Sequence, residues 1–273
     1  VQGEAPFLDA LDAKHRDLCW ETLAERAQEV DGFLPVSGYT ADLMAERMRV
    51  DRDRMHVVWN GIDAADIAPD PSKRDPERPA VGFLARMCRD KGIHTLVDAF
   101  IELKRSVPEA RLVAAGVVLP EDRPLLAELE RRLERAGVKG DASLLGPVTR
   151  DEKSRLLQRV DVFSVPATYG ESFGLYMPEA WAAGLPVVQP RHGAFPELVE
   201  ATGSGLLCEP DDPSSLAAGL VELLEDAEQR AEYGASAREA ALERFTAERM
   251  AAEVEAALER LVSSPRGPAA SGA

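Results

Sequence analysis

The run Ala80-Val81-Gly82-Phe83-Leu84-Ala85-Arg86-Met87-Cys88-Arg89-Asp90-Lys91-Gly92-Ile93 passes from an apolar strand through a charged loop into a helix. Its opening residues are short and apolar enough for a strand buried on both faces, and from Ile93 to Lys104 the apolar residues fall at helical spacing. The alternation continues downstream. Strands are expected at Ala110–Ala115, Ser143–Leu145, Val160–Val165, Pro186–Gln189 and Gly205–Cys208. Helical patterns lie between them at Pro124–Ala136, Asp151–Arg159, Pro178–Ala183 and Phe195–Glu200. Strands and helices that alternate with short connections are joined by right-handed crossovers, which makes the strands parallel. Six of them suit an α/β fold with a doubly wound, Rossmann-like parallel sheet. Helices at Ser214–Glu225, Ala227–Arg244 and Ala247–Leu261 follow. The Pro-, Gly-, Ser- and Ala-rich tail Ser263–Ala273 reads as disordered.

Upstream of Ala80 the pattern thins. Residues 65–79 shift to Pro, Asp, Ser and Arg, a linker composition. Before them come a helical pattern from Phe7 to Val30, a short strand Phe33–Val36, and Ser37 as cap of a helix holding Leu43, Met44 and Met48. A strand at Met55–Val58 and the turn dipeptide Asn60-Gly61 complete the segment. Two strands and two helices are too few for a typical α/β domain. The expected organisation therefore has residues 1–64 as the last third of a domain whose earlier strands lie upstream of Val1, and 65–79 as linker. Residues 80–245 form the ligand-binding domain, 246–262 a final helix, and 263–273 the tail. That helix lies either across the junction or simply on the surface. Exposed strand edges and uncovered apolar helix faces are expected of such a front segment.

The chain has 273 residues, 45% hydrophobic and 29% charged, which is the balance of a soluble globular protein. No run approaches ~18 unbroken apolar residues, so no transmembrane segment is expected, leaving at most peripheral membrane contact. A net charge of −16 argues against nucleic acid as partner. It does not exclude a small anion, because local arginines and lysines dominate at short range. Cys19, Cys88 and Cys208 are far apart, without metal-ligand spacing, and predict reduced thiols and a cytoplasmic location.

In a sheet of order 3-2-1-4-5-6 the first and fourth strands are neighbours, and ligands bind beyond their carboxyl ends. The loops after Leu84 and Val165 should therefore face one pocket. The first carries Arg86, Arg89 and Lys91 beside a helix start. Cations are unfavourable there on dipole grounds, so either the loop is simply solvated or it meets an anion such as a diphosphate. The second, Tyr169 to Glu179, holds Gly170 and Gly174 for close backbone approach and Pro178 for a first helical turn. Glu171 and Glu179 would bind hydroxyls or handle a proton on the pocket side, against the plainer reading of a surface residue and a helix cap. His192, in the loop after the fifth strand, is a weaker candidate for a ligand hydrogen bond. Val148, in Gly146-Pro147-Val148-Thr149 after the third strand, would border a base.

The segment Glu171-Ser172-Phe173-Gly174-Leu175-Tyr176-Met177-Pro178-Glu179 resembles the Glu-x₇-Glu signature of retaining glycosyltransferases, in particular glycosyltransferase family 4. Ala182 to Val188, Gly193-x-x-Pro196-Glu197, Arg86-x₄-Lys91-Gly92 and Asn60-Gly61-Ile62-Asp63 resemble that family's pattern in the same order. The likeness covers roughly Asp31 to Glu225. It implies a glycosyltransferase B fold and roles for particular residues. Arg86 and Lys91 would bind the diphosphate of a nucleotide-sugar donor and steady it as leaving group. Glu179 would bond the ribose hydroxyls, Glu171 would face the transferred sugar, and the N–H groups of Phe173, Gly174 and Leu175 would approach the sugar or phosphate. The resemblance further implies a retaining, metal-independent reaction with no cofactor. Two departures stand out. Ala85 replaces a glycine common before the arginine, and the domain that supplies most acceptor contacts is missing, so transfer by this chain alone is not expected.

Asp51-Arg52-Asp53 resembles a metal-binding Asp-x-Asp but falls between a front helix and strand, where a solvated turn is expected. Gly203-Ser204-Gly205 is not a nucleotide fingerprint, since no Gly-x-Gly-x-x-Gly opens a helix after a strand. Besides a sugar transferase acting on an unidentified sugar, lipid or small-molecule acceptor, two alternatives stay open. They are a nucleotide-sugar epimerase on the related scaffold and a non-catalytic nucleotide-sugar-binding module.

Overall fold

The computed structural model describes residues 3–65 and 67–263; the expected tail lies, apart from Ser263, outside the described residues. Three helices open the chain, α1 (Glu4–Asp9), α2 (Ala13–Ala27) and α3 (Gly38–Met48). Asp12 and Ser37 cap the second and third by accepting from the N–H groups of His15 and Thr40. Trp20, Ala27, Met44, Met48 and Met55 share a small apolar cluster of their own. Phe7 and Leu18 remain 71% and 57% exposed, the uncovered apolar surface expected of this segment.

The strands expected at 33–36 and 55–58 do not form. One parallel bridge joins Phe33 to Met55. Phe33 N–H donates to Arg54 O, and His56 and Val58 donate to the carbonyls of Phe33 and Pro35. The next bond of a parallel ladder would come from the N–H of residue 35, and Pro35 has none.

The sheet domain follows the expected alternation. Its elements are β1 (Ala80–Leu84), α4 (Ile93–Leu103), β2 (Arg111–Ala115), α5 (Arg123–Arg135), β3 (Ala142–Leu145) and α6 (Arg150–Gln158). They continue with β4 (Val162–Phe163), α7 (Tyr176–Ala182), β5 (Val187–Pro190), α8 (Phe195–Thr202) and β6 (Gly205–Cys208). All strands are parallel in the order β3-β2-β1-β4-β5-β6. Ala80, Val81 and Phe83 of β1 are completely buried, as a central parallel strand requires. The fourth strand is shorter than the 160–165 expected. Its ladder with β1 holds two pairs, Val81 with Val162 and Gly82 with Phe163. Ser164 N–H still reaches Gly82 O at 3.0 Å, and Pro166 then has no N–H to continue. Beyond that point the two chains part and the crevice opens.

Three helices close the described part of the chain: α9 (Pro213–Glu225), α10 (Ala227–Arg244) and α11 (Ala247–Ser263). Phe245, between the last two, is fully buried. It stacks on Trp59 with centroids 5.2 Å apart and meets Trp181 and Phe173 at 5.1 and 6.1 Å. Ile62 N–H donates to Phe245 O at 2.8 Å and Ala247 N–H to Ile62 O at 3.1 Å, so the chain runs beside itself there. From this crossing α11 extends over the front segment. Arg249 donates to Trp59 O at 2.7 Å, and Leu261 packs over Gly32. Of the two placements open to the last helix, the structure has the one across the junction.

Behind the crevice the two loops are joined backbone to backbone. Thr168 N–H donates to Asp90 O at 2.9 Å. Gly92 has φ 72°, and a Cβ there would lie 1.7 Å from the Pro166 carbonyl oxygen. Gly137, φ 74°, has nothing within 4 Å of the same position. Gly92→Ala is therefore expected to lower the unfolding free energy by about 2–4 kcal/mol, the cost of a strained backbone plus a forced separation. Gly137→Ala carries only the left-handed backbone, about 1 kcal/mol. Urea unfolding of both variants checks this, and equal losses would show that the loops are free to move apart.

Candidate functional site

Two cavities open at the carboxyl ends of β1 and β4, one on each side of the loop 170–175. The larger, about 940 Å³, is lined by Arg86, Cys88, Asp90 and Lys91 of the first loop and by Tyr169 to Ser172 of the second. Tyr39, Leu43, Arg47 and residues of α1 supply its opposite wall. The smaller, about 430 Å³, is lined by Val148, Thr149, Lys153, Leu175 and Glu179, with Gly61, Ile62 and Asp63 across from them. Arg86, Lys91 and Glu171 thus share one hollow, and Val148, Leu175 and Glu179 the other.

The remaining candidates lie in the wall. Phe173 is 2% exposed, with its ring in the core beside Phe245. Gly174 turns the chain with φ 80°. His192 is not among the lining of either cavity, and its Nε2 lies 2.8 Å from Ala167 O. Its loop buttresses the site instead: Ala194 N–H donates to Glu171 O at 2.9 Å, and a Cβ on Gly193 would stand 2.6 Å from Glu171 N.

Lys91 and Glu171 are not two independent charges. The Lys91 ammonium forms an ion pair with the Glu171 carboxylate and hydrogen-bonds the Tyr169 hydroxyl. Tyr169 and Tyr176 each donate to Glu171 Oε2 at 3.1 Å. The ammonium also lies 4.9 and 5.8 Å from the centres of those two rings. Burial alone would depress the Lys91 pKa, but the charge of Glu171 and the hydrogen bonds from Glu171 and Tyr169 outweigh it and leave it raised. Burial, then the neighbouring Glu171, raises Tyr169, and raises the buried Tyr176 further still. Arg86 is held loosely, 3.6 Å from Asp90 and 3.9 Å from Asp122. Its pKa is raised, chiefly by a contact with the Cys88 side chain. Of the charges around the larger cavity, Arg86 has the freest hand for an incoming anion.

In the smaller cavity Lys153 holds Glu179 at 2.5 Å. Thr149 and Glu152 form a capping box at the start of α6 and fix the backbone next to Val148. Four contributors were given no role by the sequence reading. Tyr169 lies two residues from Glu171 in an extended loop, a spacing that puts both on one side. Tyr176 and Lys153 arrive from helix starts and carry no local mark. Glu197 accepts from the N–H groups of Gly38 and Tyr39 at 3.0 and 3.2 Å and from Trp59 Nε1 at 2.9 Å, tying the front segment to α8. Ser37 Oγ adds a bond of 2.7 Å to Ser172 O, inside the second loop.

Asp51 and Asp53 belong to a single 3₁₀ turn, Arg52–Arg54, whose Arg52 pairs with Asp42 and whose Arg54 is buried. Among the described residues no group of three or more His, Cys, Asp or Glu side chains is placed to hold a metal ion. Gly203 is the left-handed cap of α8, not part of a nucleotide loop. No helix among the described residues is long and apolar enough to cross a membrane.

The family model described as "Glycosyl transferases group 1" matches residues 65–240. A GDP-mannose-dependent alpha-(1-6)-phosphatidylinositol monomannoside mannosyltransferase of Mycobacterium tuberculosis is 33% identical over 193 residues, 66% of this chain and 49% of that protein. A D-inositol 3-phosphate glycosyltransferase of Corynebacterium efficiens is 32% identical over 245 residues, 85% of this chain and 56% of that protein. The chain spans about half the length of these relatives. Among solved structures, Anabaena Alr3699/HepE in complex with UDP has a TM-score of 0.80 at 22% identity, covering 94% of this chain and 69% of that one. Sucrose-phosphate synthase from Thermosynechococcus elongatus has 0.79 at 22%, covering 93% and 63%. At such identity the likeness is one of fold: a glycosyltransferase B-type Rossmann sheet.

The part-buried Lys91–Glu171 pair has a pH signature. A lysine whose folded pKa is raised adds stability that is complete below the unfolded value and is lost as pH climbs through the folded one. Lys91→Met strands Glu171 and is expected to lower the unfolding free energy by about 2–4 kcal/mol at neutral pH. The gap between parent and variant should hold through the ordinary lysine range and narrow only above it. Denaturant unfolding from neutral to strongly alkaline pH reads this out, and a gap that closes below the ordinary lysine pKa would remove the pairing.

Proposed function

The chain belongs to the glycosyl transferases group 1 family, and on that footing we propose that it is the donor half of a retaining, metal-independent transferase of glycosyltransferase family 4. Such an enzyme moves a sugar from a nucleotide-sugar to a sugar, lipid or small-molecule acceptor. The observation carrying this reading is the convergence of Arg86, Lys91 and Glu171 on one hollow at the β1–β4 crevice, with Glu179 and Val148 in the adjoining one. A nucleotide lying across both would put its base by Val148 and Leu175, its ribose by Glu179, and its diphosphate by Arg86.

Lys153 holds the Glu179 carboxylate in place as acceptor for the two ribose hydroxyls. Arg86 and Lys91 neutralise the charge that builds on the diphosphate as its bond to the anomeric carbon breaks. The N–H groups of Phe173, Gly174 and Leu175 face the same charge. An arriving diphosphate competes with Glu171 for the Lys91 ammonium and leaves that carboxylate, still held by Tyr169 and Tyr176, to accept from sugar hydroxyls. Departure and attack on one face retain configuration: the acceptor oxygen bonds the anomeric carbon, the phosphate oxygen leaves from the same side, and the acceptor proton passes to it. The wall of Tyr39, Arg47 and α1 faces this centre from the acceptor side. The free cysteines, with burial pushing the Cys208 thiol up to about 12, suit action in the cytoplasm.

Two substitutions test the assignment. Arg86→Ala should weaken UDP- or GDP-sugar binding by about 1.5–3 kcal/mol, the range for a hydrogen bond to a charged group. Glu179→Ala should weaken an intact nucleotide more than its 2′,3′-dideoxy analogue. Calorimetric titration gives both. Unchanged affinity in the first case, or equal losses for the two ligands in the second, removes that residue from the site. Sugar rearrangement of the donor without acceptor would replace transfer by epimerisation.

A further inference from the structure

A third cavity, about 460 Å³, lies at the opposite end of the sheet, beside the amino ends of β4 and β5. Arg74 of the segment before β1 and Arg230 and Arg238 of α10 line it, together with Asp161 and three prolines of that segment, Pro69, Pro71 and Pro76. Each arginine spends one nitrogen on a backbone carbonyl. Arg230 donates to Leu223 O and Leu224 O at 2.8 and 2.9 Å, at the end of α9. Arg238 donates to Ala182 O, and Arg74 reaches Ala183 O at 3.5 Å, at the end of α7. Among the described residues none of the three takes part in an ion pair within 4.0 Å. Arg74 Nε is buried without a hydrogen-bond partner.

Three guanidiniums around one hollow repel one another, and this is unusual in a chain of net charge −16. Burial pulls Arg74 below its ordinary pKa; the charge of Asp161 opposes this, and that of Arg230 adds to it more weakly. Asp161 offsets part of that charge, but one carboxylate faces three guanidiniums. Among the described residues Asp161 is the one carboxylate lining the hollow, and it already accepts from Ala80 N–H at 2.8 Å. A compact anion with several acceptor oxygens matches what is left over. The fork of a guanidinium fits a phosphate, and the prolines offer an apolar wall to whatever carries it.

We propose that this hollow is a second anion site, specific for a phosphoryl group and separate from the donor cavity. Its ligand is inorganic phosphate or the terminal phosphate of a small metabolite. The segment supplying Arg74 continues from Ile67, which lines the smaller donor-side cavity, so an occupied site would stiffen a stretch of chain that reaches both ends of the sheet.

The test is the thermal midpoint of the full chain with inorganic phosphate and, separately, glycerol 3-phosphate, each against chloride at matched ionic strength. At a concentration roughly tenfold above Kd, one or both should raise Tm by about 3 °C. The shift should persist in Arg86→Ala, which disables the donor cavity. Arg74→Gln should weaken the anion by about tenfold or more, the loss expected for a charge-assisted bond. Ala231→Glu, an exposed position of α10 at the rim, should do the same without touching any arginine, and covers the case in which Arg74→Gln fails to fold. A shift matched by chloride, lost in Arg86→Ala, unaltered in Ala231→Glu, or absent with both phosphates overturns the proposal.

Discussion

The site exists because two backbones touch. Gly92 passes so close to the Pro166 carbonyl that no side chain fits between them, and Thr168 hydrogen-bonds Asp90 beside that contact. This holds the basic loop and the acidic loop at one fixed separation. The lysine and the glutamate they carry are then close enough to pair, and the tyrosines close around the pair. Were the loops a few ångströms further apart, the same residues would be separate solvated charges. The pairing at the crevice therefore depends on a steric constraint behind it.

A second constraint lies deeper. Phe245 is touched by the front segment through Trp59, by the acidic loop through Phe173 and by α7 through Trp181. Three parts of the chain that border the two cavities thus rest on one ring. Glu197 and Ser37 add polar ties across the same boundary, each satisfying groups that would otherwise be buried unpaired. The front segment, with its own small core and exposed Phe7 and Leu18, takes its position from these contacts.

Most of the fold was legible in the sequence because a doubly wound sheet repeats one unit. Each strand is a short apolar run and each helix a periodic one, so β1, β6 and α10 have the bounds expected of them. The strand order follows from topology, and it places the first and fourth loops together. What the sequence hid was cancellation. Lys91 and Glu171 read as two charges offered to a ligand, whereas each is the other's partner. Pro35 and Pro166 shortened strands through single missing N–H groups that apolar patterning does not register. Lys153, Tyr176 and Glu197 are local helix residues whose partners lie 26, 5 and 138 or more positions away. Only the packed chain brings them into use.

The paired crossing at Ile62 and Thr246 has a mechanical meaning. The polypeptide leaves the front segment and returns to it along two neighbouring tracks bonded to each other, with α11 fastened over Gly32 at its far end. Two attachments side by side resist wringing, because a twist of the front segment would stretch both tracks and unstack Trp59 from Phe245. The bonds from Glu197 and Ser37 lie away from that crossing and brace the same boundary a second time.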